Sequence, residues 1–359
     1  MSDRRILVDA RLPWGSGIGR YVRNILPPVA ARMPDAAFTL LVAPADAVRA
    51  GEVMAPHANV TVRASPIRPF SLAEQLRLPL LARRYDLTWF TNYWVPLGWR
   101  GRFVATVHDL IHLDPAFPTS RLRRVLAART FAKIRRDAAH VVFVSRFTHG
   151  AFTARLGPPR AASVVHHGID HLGAGSGDPV APRERFALVV AAAKAHKNLP
   201  LLLDAWARAA LPDWRLVLVT PADDLRSSID LAPVPGLTIR RGIADAELAG
   251  LYASAGFVIV PSRHEGFGLP LLEAMRAGAP VLASTAPALV EVAGDVPLTF
   301  VSPDDRDGWV VAIRAMAAGC VPLSPRQAAI AAQGHAHARG FTWARAADAT
   351  ARVLEAALP

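Results

Sequence analysis

One pattern, repeated twice, most constrains the fold of this chain. Short continuous apolar runs alternate with longer stretches of helical periodicity. In the first half the runs are Ile6-Leu-Val-Asp-Ala, Phe38-Thr-Leu-Leu-Val-Ala, Asn59-Val-Thr-Val-Arg, Leu87-Thr-Trp-Phe, Phe103-Val-Ala-Thr-Val and Val141-Val-Phe-Val, with Val164-Val-His-His closing the set. Helical stretches such as Gly19 to Ala31, Leu72–Arg83 and Arg121–Ala138 lie between them. A strand that is apolar at every position is covered on both faces, so these runs predict a parallel sheet flanked by helices.

From Leu172 to Pro182 the chain reads Leu-Gly-Ala-Gly-Ser-Gly-Asp-Pro-Val-Ala-Pro, without periodicity, which predicts a linker or domain boundary. The pattern then restarts with strands at Phe186–Ala192, Arg215–Thr220, Leu237–Arg240, Phe257–Val260 and Pro280–Ser284. Helices are expected at Leu199–Ala210, Asp245–Ser254 and Pro270–Ala277, and a last amphipathic one at Trp343–Leu358. The expected architecture is α/β, with two parallel-sheet domains over residues 1–172 and 173–340 and a terminal helix over 341–359. Ligands of open parallel sheets bind at the carboxyl ends of the strands, so both domains are expected to face a shared cleft.

Composition agrees. The 359 residues match two domains at about 150 residues each. At 52% hydrophobic and 19% charged, the chain is neither disordered nor coiled-coil. A single cysteine, Cys320, excludes an intrachain disulfide and a Cys-rich metal site. The opening MSDRRILVDARLPWG lacks a long apolar run and nowhere do about 20 apolar residues run uninterrupted. A cytoplasmic protein without a signal peptide is therefore expected. The net charge of +12 suits anionic partners. Its dense stretch, Arg121, Arg123, Arg124, Arg129, Arg135 and Arg136, is interleaved with one aromatic, Phe131. That pattern argues against nucleic acid; a solvated helix face or one that meets anionic lipid remains.

The richest motif is Pro261-Ser-Arg-His-Glu-Gly-Phe-Gly-Leu-Pro-Leu-Leu-Glu-Ala-Met-Arg-Ala-Gly-Ala-Pro-Val, directly after a strand. Gly266 and Gly268 leave the backbone bare, and Pro270 suits the first helical turn. Backbone N–H groups at Phe267, Gly268 and Leu269 would then meet a diphosphate at a positive helix end. Glu265 precedes this helix and Glu273 is expected in its first turn; carboxylates there suit sugar hydroxyls. Lys197 follows a strand, with Asn198 expected to cap the next helix, and its ammonium would meet charge developing on a leaving phosphate.

Other motifs are weaker. His108-Asp-Leu-Ile-His112 has the spacing of a helical zinc motif but follows a strand and precedes Asp114-Pro115, which leaves His108 as a strand-end residue. Asp305-Arg-Asp307 has a metal-binding form, yet its Pro/Asp/Gly setting reads as a surface turn. In Gly15, Gly17 and Gly19, Arg20 stands where a dinucleotide fingerprint needs its third glycine. A phosphate-approach loop or lid is favoured there over a structural turn.

Glu265-x7-Glu273 within Ser-x-x-Glu-Gly-Phe-Gly-Leu-Pro-x-x-Glu-Ala resembles the signature of the family-4 retaining glycosyltransferases of the GT-B fold, which pairs two Rossmann-like domains. The likeness extends along nearly the whole chain through Gly15-Ser-Gly-Ile-Gly-Arg-Tyr, Thr106-Val-His-Asp-Leu, Val144-Ser-Arg-Phe, His167-Gly-Ile-Asp, Lys197-Asn-Leu and Phe341-Thr-Trp. The resemblance implies that Glu273 holds the nucleotide ribose and Glu265 the donor sugar's hydroxyls. It implies that Gly266, Phe267, Gly268 and Leu269 offer N–H groups to sugar and diphosphate, and that Lys197 neutralises the departing diphosphate. His108 would sit over the donor sugar, and Gly17 would approach the diphosphate. Many relatives carry an Arg where this chain has Ala192; either Lys194 or His196 supplies that charge here, or it is absent. Asp109 and Ser145 are candidates on the acceptor side. A mannosyltransferase-like subtype is implied, using GDP-mannose without a metal or other cofactor, on a glycan or lipid-linked acceptor. Rhamnosyl and glucosyl donors, and a sugar-nucleotide epimerase, are the alternatives. The terminal helix is expected to cross back to the first domain.

Overall fold

The computed structural model describes residues 4–172, 182–222 and 234–359. The chain divides into two compact units, one of residues 1–168 with 342–359 and one of residues 169–341. The expected linker falls largely on 173–181, outside the described residues. The division itself comes at Gly168, slightly before the expected boundary at 172.

The first unit is a seven-stranded sheet of β1 (Arg4–Asp9), β2 (Ala36–Val42), β3 (Val60–Ala64), β4 (Leu87–Phe90), β5 (Phe103–Val107), β6 (His140–Phe143) and β7 (Ala162–Val164). All pairs are parallel, in the order β3-β2-β1-β4-β5-β6-β7. β4 and β5 are buried at every position, as their apolar runs require. β7 ends at Val164, earlier than the run Val164-Val-His-His suggests, although the Val165 amide still donates to the Phe143 carbonyl of β6 at 2.8 Å. The helices are α1 (Gly17–Arg32), α2 (Ala47–Met54), α3 (Leu72–Arg77), α4 (Arg121–Asp137) and α5 (Arg146–Leu156). The helix expected over Leu72–Arg83 is α3 followed by a 3₁₀ segment over Leu78–Arg84. Pro79 lacks the amide that a continuing α-helix needs.

The second unit is a six-stranded sheet of β8 (Glu184–Val190), β9 (Arg215–Thr220), β10 (Leu237–Arg241), β11 (Ala255–Val260), β12 (Val281–Ser284) and β13 (Thr299–Val301). It too is all parallel, ordered β10-β9-β8-β11-β12-β13. Its helices are α6 (Leu199–Ala209), α7 (Asp245–Ser254), α8 (Leu269–Arg276), α9 (Pro287–Ala293), α10 (Arg306–Cys320) and α11 (Pro325–Ala338). Asp305 is the N-cap of α10, its carboxylate accepting from the Gly308 amide at 2.9 Å. The Asp-Arg-Asp sequence therefore caps a helix.

Both sheets reverse their strand order once, between β1 and β4 and between β8 and β11. In open parallel sheets the loops that leave the strands at such a reversal diverge, and ligands bind there.

The last helix, α12 (Trp343–Ala357), belongs to the first unit. Trp343, Ala346, Ala347, Ala351 and Leu354 form its buried stripe in the same core as Tyr21, Val22, Ile25 and Leu26 of α1. The Trp343 ring stacks on His167 with centroids 5.8 Å apart. A Cβ on Gly168 would collide with the Trp343 backbone. The Phe341-Thr-Trp and His167-Gly segments thus serve one junction.

Candidate active site

In the second unit the site grows from the two strands at the order reversal. After β8 the chain makes a 3₁₀ turn over Ala195–Lys197 and enters α6 through Asn198. After β11 it runs through Pro261 to Gly268 into α8. The two loops meet: the Arg263 amide donates to the His196 carbonyl at 2.8 Å.

That meeting brings Lys197 and Glu265 together. The Lys197 ammonium donates to Glu265 Oε1 at 2.7 Å, and Ser262 Oγ donates to the same oxygen at 2.7 Å. Both side chains are mostly buried, 17% and 11% exposed. Burial opposes ionisation of Glu265, but Lys197, Ser262 and the charge of His196 outweigh it and hold the carboxyl below its ordinary range. Glu265 Oε2 makes no hydrogen bond among the described residues and is not sealed from solvent. Of three ammonium donors, Lys197 uses one in the described contacts. A carboxylate oxygen and two cationic N–H groups therefore remain for a hydroxyl and an anion.

Asn198 does not cap α6 with its side chain, contrary to expectation. It sits in the left-handed region at φ +57°. Its amide instead donates to the carbonyls of Pro261, 3.2 Å, and Pro303, 2.8 Å, and its Oδ1 accepts from Arg263 Nε at 3.0 Å. Asn198 thereby ties the Lys197 turn to the Glu265 loop. Lys194 lies exposed at the start of the turn, its amide bonded to the Ala192 carbonyl at 2.8 Å. Arg263, which sequence reasoning passed over, is also paired with Asp304.

The Gly266–Leu269 turn opens α8 as expected. Gly268 is the N-cap at φ +102°, and a Cβ there would lie 2.5 Å from Leu289 Cδ2. Its lack of a side chain is thus required by the fold itself. Phe267 is buried. Glu273 sits in the second turn of α8, not the first, because the helix begins at Leu269. It is 2% exposed. Its Oε2 accepts from the Tyr252 hydroxyl at 2.8 Å and its Oε1 lies 3.3 Å from His171 Nε2. Tyr252 and His171 carry no motif signal that would have marked them.

In the first unit, His108 follows β5. Its Nε2 lies 2.9 Å from the Thr91 carbonyl, which can only accept, so that nitrogen carries the proton. Burial lowers the pKa of the ring, with the Thr91 bond and Asp109 acting the other way. His108 is therefore a neutral imidazole with Nδ1 as its acceptor. The ring rests edge-on against Tyr21, 5.0 Å between centroids, one turn along α1 from Gly17. Gly17 faces open space, whereas a Cβ on Gly19 would strike the Trp14 carbonyl. Asp109 accepts from the Ile111 amide at 3.0 Å. Ser145 is the fully buried N-cap of α5, bonded to Thr148, whose hydroxyl reaches the His108 carbonyl at 3.4 Å. The structure thus gathers His108, Asp109 and Ser145 at the ends of β5 and β6. Among the described residues no cluster of three or more His, Cys, Asp or Glu side chains is placed to hold a metal.

Comparison with known proteins places this geometry. A model described as Glycosyltransferase Family 4 matches residues 15–171, and one described as Glycosyl transferases group 1 matches residues 184–334. The MMP alpha-(1->4)-mannosyltransferase of Mycolicibacterium hassiacum is 38% identical over 119 residues, 31% of this chain and 28% of that protein. The O-antigen chain mannosyltransferase of Salmonella typhimurium is 31% identical over 140 residues, 37% of this chain and 38% of its own. The D-inositol 3-phosphate glycosyltransferase of Segniliparus rotundus is 31% identical over 221 residues, 56% and 48% of the two chains. The chain thus spans less than half the length of these curated relatives. Among solved structures, Anabaena HepE in complex with UDP and glucose superposes with a TM-score of 0.75 over 98% of this chain and 99% of its own, at 20% identity. The fold is GT-B. With matching models over both of its parallel-sheet units, the chain belongs to glycosyltransferase family 4.

Proposed function

We propose that this chain transfers a hexosyl group from a nucleoside diphosphate sugar to a hydroxyl of a glycan or lipid-linked glycan, with retention at the anomeric carbon. The carrying observation is the Lys197–Glu265 pair, set between the ends of β8 and β11 beside the turn that opens α8. The free Oε2 of Glu265 suits a hydroxyl of the donor sugar. The spare donors of Lys197 and the N-terminus of α8 suit the diphosphate.

In this reading the bond between the anomeric carbon and the diphosphate oxygen breaks, and its electron pair leaves with the nucleoside diphosphate. Lys197 meets the charge that develops there. The acceptor oxygen bonds to the anomeric carbon from the same face, and its proton passes to the departing phosphate oxygen. Retention by double displacement would need a carboxylate nucleophile on the opposite face; Glu265 and Glu273 are assigned to hydroxyl recognition, so the front-face route is preferred. His108, neutral and with Nδ1 as acceptor, suits a donor-sugar hydroxyl. No metal is needed where an ammonium and a helix terminus supply the positive field.

GDP-mannose is the proposed donor, on the strength of the mannosyltransferases among the relatives. A lipid-linked acceptor would place the reaction at the cytoplasmic face of a membrane. The test is a thermal-shift and turnover screen against GDP-, UDP- and dTDP-sugars, since a bound donor stabilises the folded form, followed by the product's anomeric configuration. GDP-mannose should raise the melting temperature most and give an α-linked product. Preference for UDP-glucose or dTDP-rhamnose would overturn the donor, an inverted product the mechanism, and release of an epimerised nucleotide sugar without acceptor the transferase itself.

A further inference from the structure

α3 is built inside out. Its one acidic residue, Glu74, is 0% exposed, whereas Leu72 is 83% and Leu76 73% exposed. An amphipathic helix on a folded surface ordinarily does the reverse. The cause lies beneath it. Arg11, at the end of β1, is buried and paired with Asp9, 2.8 Å, and with Glu74, 2.5 Å. Glu74 Oε2 also accepts from the Phe70 amide at 2.8 Å. That buried charge cluster fixes which side of α3 faces the protein and turns the leucines outward.

The outward face extends past the helix. Leu80, on the 3₁₀ segment, is 72% exposed, and Leu97 is exposed where its amide donates to Gln75 of α3 at 2.8 Å. Phe70 is exposed as well, held at φ +63° with its ring 4.6 Å from that of Trp94. A bulky non-glycine residue in that conformation is strained.

The charge around this face has one sign. Arg68, Arg77, Arg83, Arg84 and Arg100 are exposed, and none of their guanidinium groups has a hydrogen-bond or ion-pair partner among the described residues. Between residues 60 and 84 the sole acid is the buried Glu74, and the next, Asp86, is tied to Arg5. Protein interfaces are depleted of charge at their centre; exposed aliphatics ringed by unpaired arginines match a surface that is apolar beneath and anionic at its rim.

We infer that the α3 face of the first unit docks on an anionic lipid bilayer, with Leu72, Leu76, Leu80 and Phe70 entering the headgroup boundary and the arginines meeting lipid phosphates. This moves the lipid-facing surface away from the arginine-rich stretch in α4. There exposed large apolar residues are confined to Leu122 and Val125 in the first turns, and Arg136 is paired with Asp137. The inference deepens the lipid-linked reading of the acceptor but does not require sugar transfer.

The test is co-sedimentation of the full chain, without nucleotide, with vesicles of phosphatidylglycerol and phosphatidylcholine in equal parts or of phosphatidylcholine alone. Binding should appear on the mixed vesicles and weaken in high salt. L72S/L76S/L80S and R77S/R83S/R84S should each lower vesicle affinity at least about tenfold, with circular dichroism and melting unchanged because these side chains are exposed. R129S/R135S/R136S on α4 should bind like the parent. The inference is overturned if the parent chain stays in solution with the mixed vesicles, if the leucine variant binds equally, or if the α4 variant alone loses binding. It is overturned too if the leucine variant abolishes a dimer seen in sedimentation velocity while vesicle binding is absent. Turnover on a water-soluble acceptor should persist in the leucine variant, so loss of docking and failure of the transferase reading are separable.

Discussion

The Lys197 ammonium donates to Glu265 Oε1 at 2.7 Å, which makes the two side chains one electrostatic unit before any ligand arrives. The pairing holds the Glu265 carboxyl ionised in a place where burial alone would favour neutrality. Removing one member should therefore disturb both.

K197A should lower turnover by about 10²–10³, the usual loss when one group stabilising developing charge is removed. It should also destabilise the fold by about 3–5 kcal/mol if the Glu265 carboxylate is left charged and uncompensated. The double variant K197A/E265A should be less destabilised than the sum of the single variants, because the pair is broken once. Denaturant unfolding of all three, with turnover measured alongside, checks this; additive stability losses would show that the pair is not a unit.

The same pair has a pH signature. The folded-state pKa of Glu265 lies below 4.5, so its stabilising share is complete above that value and is lost as pH falls through the lower folded value. The stability gap between parent and E265Q should stay constant from neutrality down to about pH 4.5 and shrink beneath it. A gap that closes near pH 6 instead would contradict the assignment.

Much of this was legible in the sequence, and the exceptions have physical causes. The central strands of both sheets were readable because burial on two faces leaves no room for polar positions, as in Phe103–Val107, whereas the three-residue edge strand β13 was not read. The positions of Glu265 and Lys197 followed from strand ends and glycines. Their mutual contact did not, because residues 68 apart meet only through the sheet order. Asn198 looks like a cap in sequence, and only the third dimension shows that its amide has better acceptors at Pro261 and Pro303. The second-turn placement of Glu273 turns on where α8 begins, a boundary that a glycine N-cap at positive φ moves by one residue. α10 went unread because Gly308 and Gly319 lie within it, although its buried face carries Trp309, Ile313 and Met316.

Asn198 carries three side-chain hydrogen bonds and a left-handed backbone. N198A should cost about 2–4 kcal/mol, from the lost bonds together with residual backbone strain. N198G removes the strain but not the loss of bonds, so it should fall between parent and N198A. Guanidinium unfolding of the three chains orders them. N198A as stable as the parent would mean that the bridge between the two loops holds nothing in place.

The glycines of the two candidate loops should separate cleanly. G268A meets both a positive φ and Leu289, and G19A meets the Trp14 carbonyl. Each should destabilise by at least about 1–3 kcal/mol. Gly17 faces open space, so G17A should leave stability within about 0.5 kcal/mol, and a rise in KM for donor would then report a ligand at that backbone. Thermal melts alongside donor titrations decide it. G17A with parental KM would remove Gly17 from the site.

His108 provides the last measurement. Burial depresses its pKa below 6.5 while the proton on Nε2 stays bonded to the Thr91 carbonyl. In the window between the lowered folded value and 6.5 the unfolded chain binds the proton more readily, so stability rises with pH across that window and is complete above it. H108Q places an amide donor near the Nε2 position and cannot titrate. The parent chain should lose melting temperature as pH is lowered from 7 through this window, and H108Q should lose distinctly less. The ring should show its neutral, Nε2-protonated nitrogen chemical shifts at pH 7. Equal slopes in the two chains would mean that the imidazole is not the neutral, buried group that the Thr91 contact and the Tyr21 ring describe.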